Sequence, residues 1–103
     1  MATDRDTQGG TAVKERQKAE RPRLWKVLFH NDDFTTQEFV VEALMRFFGH
    51  DKTGATHVML HVHHTGIGLA GTYPKDVAET KVRQAMEFAE SNQQPLLVTT
   101  EPE

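Results

Sequence analysis

Cysteine is absent from the 103 residues. Disulfide bonds, thiol nucleophiles and thiolate metal sites are therefore excluded. Serine occurs once, as Ser91 near a predicted helix end, with no base close to it in the sequence, so no nucleophile–base pair is suggested. No apolar run approaches the roughly 20 residues that cross a bilayer, and no membrane partner is expected. The opening MATDRDTQGG has no apolar stretch, so no secretory signal is expected there and the protein is read as cytoplasmic. Basic charge is not in excess: 12 Lys and Arg against 15 Asp and Glu leave a net charge of −3. Nucleic acid is not expected as a ligand, because phosphate binding wants a clustered basic face.

What is present divides unevenly. Residues 1–23 hold five apolar residues (Met1, Ala2, Ala12, Val13, Ala19) and carry six basic and four acidic groups. All eight aromatic residues lie between Trp25 and Phe88. The first segment cannot bury enough apolar surface to offset its ordering entropy and is expected to be a disordered N-terminal extension. Residues 24–103 are expected to form one core domain, near the lower size for a domain with its own core, and the protein is read as a monomer.

Leu24–Phe29 (LWKVLF) is dense in Trp, Val, Leu and Phe and predicts a strand. His30-Asn31-Asp32-Asp33 reads as a polar turn. Thr35 followed three residues later by Glu38 has the capping-box form, and Phe39, Val40, Ala43, Leu44 and Phe47 recur at helical spacing over 36–48. Gly49 fits the left-handed position after a helix. Asp51 can cap a second helix running to about His64, where Thr65-Gly66 stops it. A second strand is expected over 67–73, a third helix over 76–91 after Pro74, and a short last strand over 95–100. The order β-α-α-β-α-β predicts an α+β two-layer sandwich on a small, largely antiparallel, three-stranded sheet.

Two constellations could carry chemistry. His57 and His61 stand four apart, with His63 and His64 following. A pair at that spacing on one helix face can chelate zinc. A third ligand is missing, and Val58 holds the place where a metalloprotease helix carries Glu. With the third ligand missing, solvated helix residues are the preferred explanation of these histidines, so no metal or cofactor is expected, and a histidine-based metal-binding protein is kept as the alternative function. The second constellation is the Asn31-Asp32-Asp33 turn together with Met59, Val62 and His63, which share one face of the second helix. If that face lies against the turn, the product is a small cleft, acidic at one end and apolar at the other. A free N-terminal amino acid with a bulky side chain matches it: Asn31 supplies an amide oxygen, Asp32 a carboxylate and a neutral His63 a ring-nitrogen lone pair. A plain turn beside an ordinary core would use the same residues.

In order and spacing, WKVLFHNDDFTTQEFVVEALMRFF, MLHVHHTGIGLAG, DVAETKV and QPLLVTTEPE resemble the ClpS family of adaptors for the ClpAP and ClpCP proteases. The likeness runs over about 80 residues from Leu24 and excludes the extension. It implies an adaptor and no enzyme. Such an adaptor binds N-degrons, proteins whose first residue is Leu, Phe, Tyr or Trp, and hands them to the N-terminal domain of a ClpA- or ClpC-type unfoldase. It implies that Asn31, Asp32 and His63 hold the substrate α-amino group. Thr35, Val40, Met59, Val62 and Leu96 would line or border the hydrophobic pocket, and Asp76 and Lys81 would lie in the unfoldase-docking region. Gln37 stands where the family commonly has a pocket-gating Met, so the side-chain selectivity is expected to differ.

Overall fold

Alternation along the first strand, β1 (Leu24–His30), decides which side of it is covered. Val27 and Phe29 are fully buried, while Leu24, Lys26, Leu28 and His30 point the other way. This computed structural model of the chain describes residues 22–103. Most of the expected mobile extension lies outside the described residues; Pro22 and Arg23 are exposed and lead into β1. After β1 come α1 (Gln37–Phe48), α2 (Lys52–Thr65), β2 (Ile67–Pro74), α3 (Lys75–Ser91) and β3 (Leu97–Pro102). The sheet order is β2-β1-β3 and both pairings are antiparallel. The architecture is the α+β two-layer sandwich expected from the sequence.

The helices cover one face of the sheet, and the core lies between the layers. Phe29 meets Phe48 of α1 edge-on with ring centroids 5.4 Å apart. Phe39 stacks on Phe88 of α3 at 5.0 Å. Fully burying a side chain of this size contributes about 1.5–3 kcal/mol, so β1, α1 and α3 are held largely by these contacts. Ala78, Ala85 and Ala89 are the buried residues of α3, and their small side chains bring that helix close to the layer beneath it.

Two local features differ from the sequence reading. The cap of α1 is Thr36, whose hydroxyl accepts from the Phe39 N–H at 3.1 Å. The Thr35–Glu38 capping box does not form, because the Thr35 hydroxyl donates to Asp32 instead, and the Thr36 N–H goes to Gln94 Oε1 at 3.0 Å. The last strand begins two residues later than expected and runs to Pro102.

The β1–β2 register shifts between Val27, opposite Gly71, and Leu28, opposite Leu69, leaving Ala70 as the extra residue of a bulge. His50 Nε2 donates to the Ala70 carbonyl at 2.7 Å, which gives a structural task to a histidine that sequence alone left unassigned.

Candidate functional site

The Asn31–Thr35 turn is built by its own aspartate. Asp32 Oδ1 accepts from the backbone N–H groups of Phe34 at 2.8 Å and Thr35 at 2.7 Å, and Asp32 Oδ2 accepts from the Thr35 hydroxyl at 2.6 Å. Burial pushes the Asp32 carboxyl up, but the Thr35 hydroxyl and the two backbone donors together outweigh it and hold the group below the ordinary aspartate value. Asp32 is thus an anion at neutral pH with acceptor capacity still open on Oδ2.

A second tie brings the turn against α2. That helix ends at Gly66, whose φ of 94° is in the left-handed region and whose N–H bonds to the Val62 carbonyl. The Gly66 carbonyl then accepts from the Asn31 N–H at 2.9 Å. Asn31 is therefore fixed one turn from His63. Close packing of α2 on β2 needs Gly68: a Cβ there would stand 2.6 Å from Val62 Cγ2.

A cavity of about 200 Å³ results at this junction. The turn supplies Asn31, Asp32, Asp33 and Thr35, α1 supplies Gln37 and Val40, and α2 supplies Met59, Val62 and His63. Val40, Met59 and Val62 are buried and form the apolar end, while Asn31, Asp33 and His63 are exposed at the mouth. No lysine or arginine is among the lining residues, so the polar end repels anions and suits a cation with several donors.

Of the residues named from the sequence for the amine site and the hydrophobic pocket, Leu96 is the one outside this lining. It is 4% exposed, in the core, and borders a separate surface depression with Arg83, Met86 and Leu97. The Pro95-Leu96 segment borders α3, and it follows Gln94, whose side chain accepts from the Thr36 N–H at the start of α1; one-dimensional spacing carries no sign of that. Asp33 lines the cavity although the amine-binding set drawn from the sequence omitted it. Its place in the run of acceptors at Asn31–Asp33 was the available signal.

The docking pair separates in character. Asp76 is exposed in the first turn of α3, its Oδ1 accepting from the Val77 N–H at 2.9 Å. Lys81 is half-buried, and its ammonium donates to the Phe47 carbonyl at 2.6 Å and sits 5.5 Å from the Tyr73 ring centroid. A cation there satisfies an open carbonyl at the C-terminal end of α1, where the helix dipole favours positive charge.

His57, His61 and His64 are exposed on α2. Among the described residues, no group of three or more His, Cys, Asp or Glu side chains is arranged to hold a metal ion. Among those residues, too, no helix is long and apolar enough to cross a membrane.

Comparison with known proteins decides the family. The family described as "ATP-dependent Clp protease adaptor protein ClpS" matches residues 20–99. The chain belongs to the ClpS family. It is 53% identical to the ATP-dependent Clp protease adapter protein ClpS of Methylococcus capsulatus over 100 residues, covering 96% of this chain and 94% of that protein. It is 50% identical to the same adapter of Parvibaculum lavamentivorans over 102 residues, covering 97% and 93%. The solved structure of Agrobacterium tumefaciens ClpS2 bound to L-phenylalaninamide matches with a TM-score of 0.78 at 37% identity, covering 81% of this chain and all of that one. As a ClpS protein the chain is an adaptor of the Clp protease and not an enzyme.

Proposed function

We propose that this ClpS protein binds N-degrons through their free α-amino group and a bulky hydrophobic first residue (Leu, Phe, Tyr or Trp) and delivers them to a Clp unfoldase. The observation that carries this reading is the polarity of one cavity: acceptors and anions without a cation at the mouth, Val40, Met59 and Val62 at the other end. An α-ammonium offers three donors, and Asn31, the open side of Asp32 and a neutral His63 offer three acceptors. The ligand of the solved relative, L-phenylalaninamide, carries an ammonium, a benzyl side chain and an amide where the next peptide bond would be. Thr35 acts by holding Asp32 in place, and Gln37 sits at the rim. Leu96, in the core just after the Gln94 that bonds to Thr36, is proposed to border the pocket.

Delivery is proposed to use the N-terminal half of α3 against the N-terminal domain of a ClpA- or ClpC-type unfoldase. Asp76 is an exposed charge there. Lys81 shares that stretch, and its ammonium spends one donor on the Phe47 carbonyl and keeps two for a partner group.

Calorimetric titration with phenylalaninamide and its N-acetyl derivative tests the pocket. Hydrogen bonds involving a charged group are worth roughly 1.5–3 kcal/mol each. Acetylation removes the charge and two donors, so affinity should fall at least about a hundredfold. Equal binding of the two compounds would rule out the amine as the recognised group.

A further inference from the structure

The same pair of helices carries a second, larger depression of about 810 Å³ that opens directly beside the cavity. Gln37 and Met59 line both. From that shared wall it runs along the α1–α2 seam, with Val41 and Met45 on one side and Thr56 on the other. Met45 is 42% exposed and Val41 half-buried, so apolar surface lies open to water next to the site that takes a peptide terminus. Thioethers at Met45 and Met59 adapt to the shape of whatever covers them. The flanking charges are mixed and partly spent: Arg46 is paired with Glu42 at 3.1 Å, leaving Glu38 and Lys52 of opposite sign at the rim. Such a floor and rim suit an apolar side chain and no particular charge.

Resting on the amine-pocket reading, we propose that this groove takes the third side chain of the same N-degron peptide, with a preference for an apolar residue. The peptide is the occupant because the groove is continuous with the cavity that holds its first residue. An extended chain points alternate side chains to the same side, and two residues advance it by about 6.6 Å. One helical turn advances about 5.4 Å. A third side chain displaced along the seam from the Gln37–Met59 wall therefore falls one turn on, over Val41 and Thr56 and against Met45. The second side chain points away and is left unselected.

Affinities of the full chain for phenylalaninamide, Phe-Ser-Ser-amide and Phe-Ser-Leu-amide test this, for the natural protein and for Met45→Glu. Met45 is a surface position, so the substitution leaves the core intact. The leucine peptide should bind about tenfold tighter than the serine peptide, the effect of partly burying one aliphatic side chain. Met45→Glu should erase that advantage and leave phenylalaninamide unchanged. Equal affinity for the two tripeptides overturns the proposal, as does a leucine advantage that survives Met45→Glu. Sedimentation showing a self-associated protein that Met45→Glu dissociates would assign the groove to a second copy and overturn it too. Failure of phenylalaninamide to bind the natural protein would instead bring down the amine pocket itself, and this inference with it.

Discussion

The two faces of α2 carry the same residue type to opposite ends. His57, His61 and His64 occupy an exposed face, at the spacing that most resembles a metal site in the sequence. His63 sits one position away and lines the cavity with Asn31, Asp32 and Asp33. What separates them is not the imidazole but what the rest of the fold brings opposite it. Nothing on another element is arranged with His57 and His61 to complete a ligand set among the described residues, whereas the Asn31–Gly66 hydrogen bond delivers a turn full of acceptors to His63. A side chain's chemistry is set by its neighbours across the fold more than by its neighbours along the helix.

The largest effect that could break this comparison is on ligand binding. His63→Ala removes one acceptor from a charged donor, roughly 1.5–3 kcal/mol, so phenylalaninamide affinity should fall about ten- to a hundredfold. His57→Ala and His61→Ala should bind within about twofold of the natural protein, since surface changes away from a site have small effects. If all three variants weaken alike, the two faces are not functionally distinct.

A smaller effect sharpens the account of the turn. Thr35→Val removes the hydroxyl from Asp32 Oδ2 at nearly constant volume. At neutral pH it should cost about 1 kcal/mol of stability, the low side for a bond to a charged group because the turn is open to water. The sign with pH follows from the depressed Asp32 carboxyl. Its contribution is fully present above the unfolded value of about 3.9 and is lost as the medium acidifies through the lower folded value. Urea unfolding of the two proteins should therefore differ at neutral pH and converge in acid. A difference that stays constant into strong acid would show that the hydroxyl acts through packing and not through the carboxylate.

The smallest effect concerns Gln37. Its side chain is exposed at the rim, where an amide keeps its hydrogen bonds in water and avoids the cost of burial. Gln37→Met places an apolar, adaptable group on the cavity wall. The preference for Leu-first over Ile-first peptides should rise about threefold, from under 1 kcal/mol of added packing. Competition binding that returns the same ratio for both proteins would make Gln37 a bystander.

Much of this was legible along the chain. Alternation in β1, helical spacing in α1, the left-handed glycines at 49 and 66 and the Asn31–Asp33 run each report a local preference, and local preferences survive into the fold. Thr35 was misread as a cap because two threonines stand side by side. The choice between them was made by Asp32, which takes the hydroxyl of one, and by Gln94, 58 residues away from Thr36, which takes the backbone N–H of the other. The place of Leu96 in the core beside α3 and the bond of Lys81 across 34 residues to Phe47 were not legible, for a related reason: both depend on how α3 and the chain beyond it lie against the other helices.

The sequence by itself determined the elements, their order, the acidic turn and the apolar face of α2, because each depends on backbone preference and periodicity within a few residues. Only the tertiary structure decided which histidine faces the turn, that Gln37 and Met59 form a wall shared by a cavity and a groove, and that Lys81 is tied to α1. These are contacts between segments distant in sequence. They are selected when burial of the common core fixes the helices against the sheet, a many-body outcome that no single stretch of chain encodes.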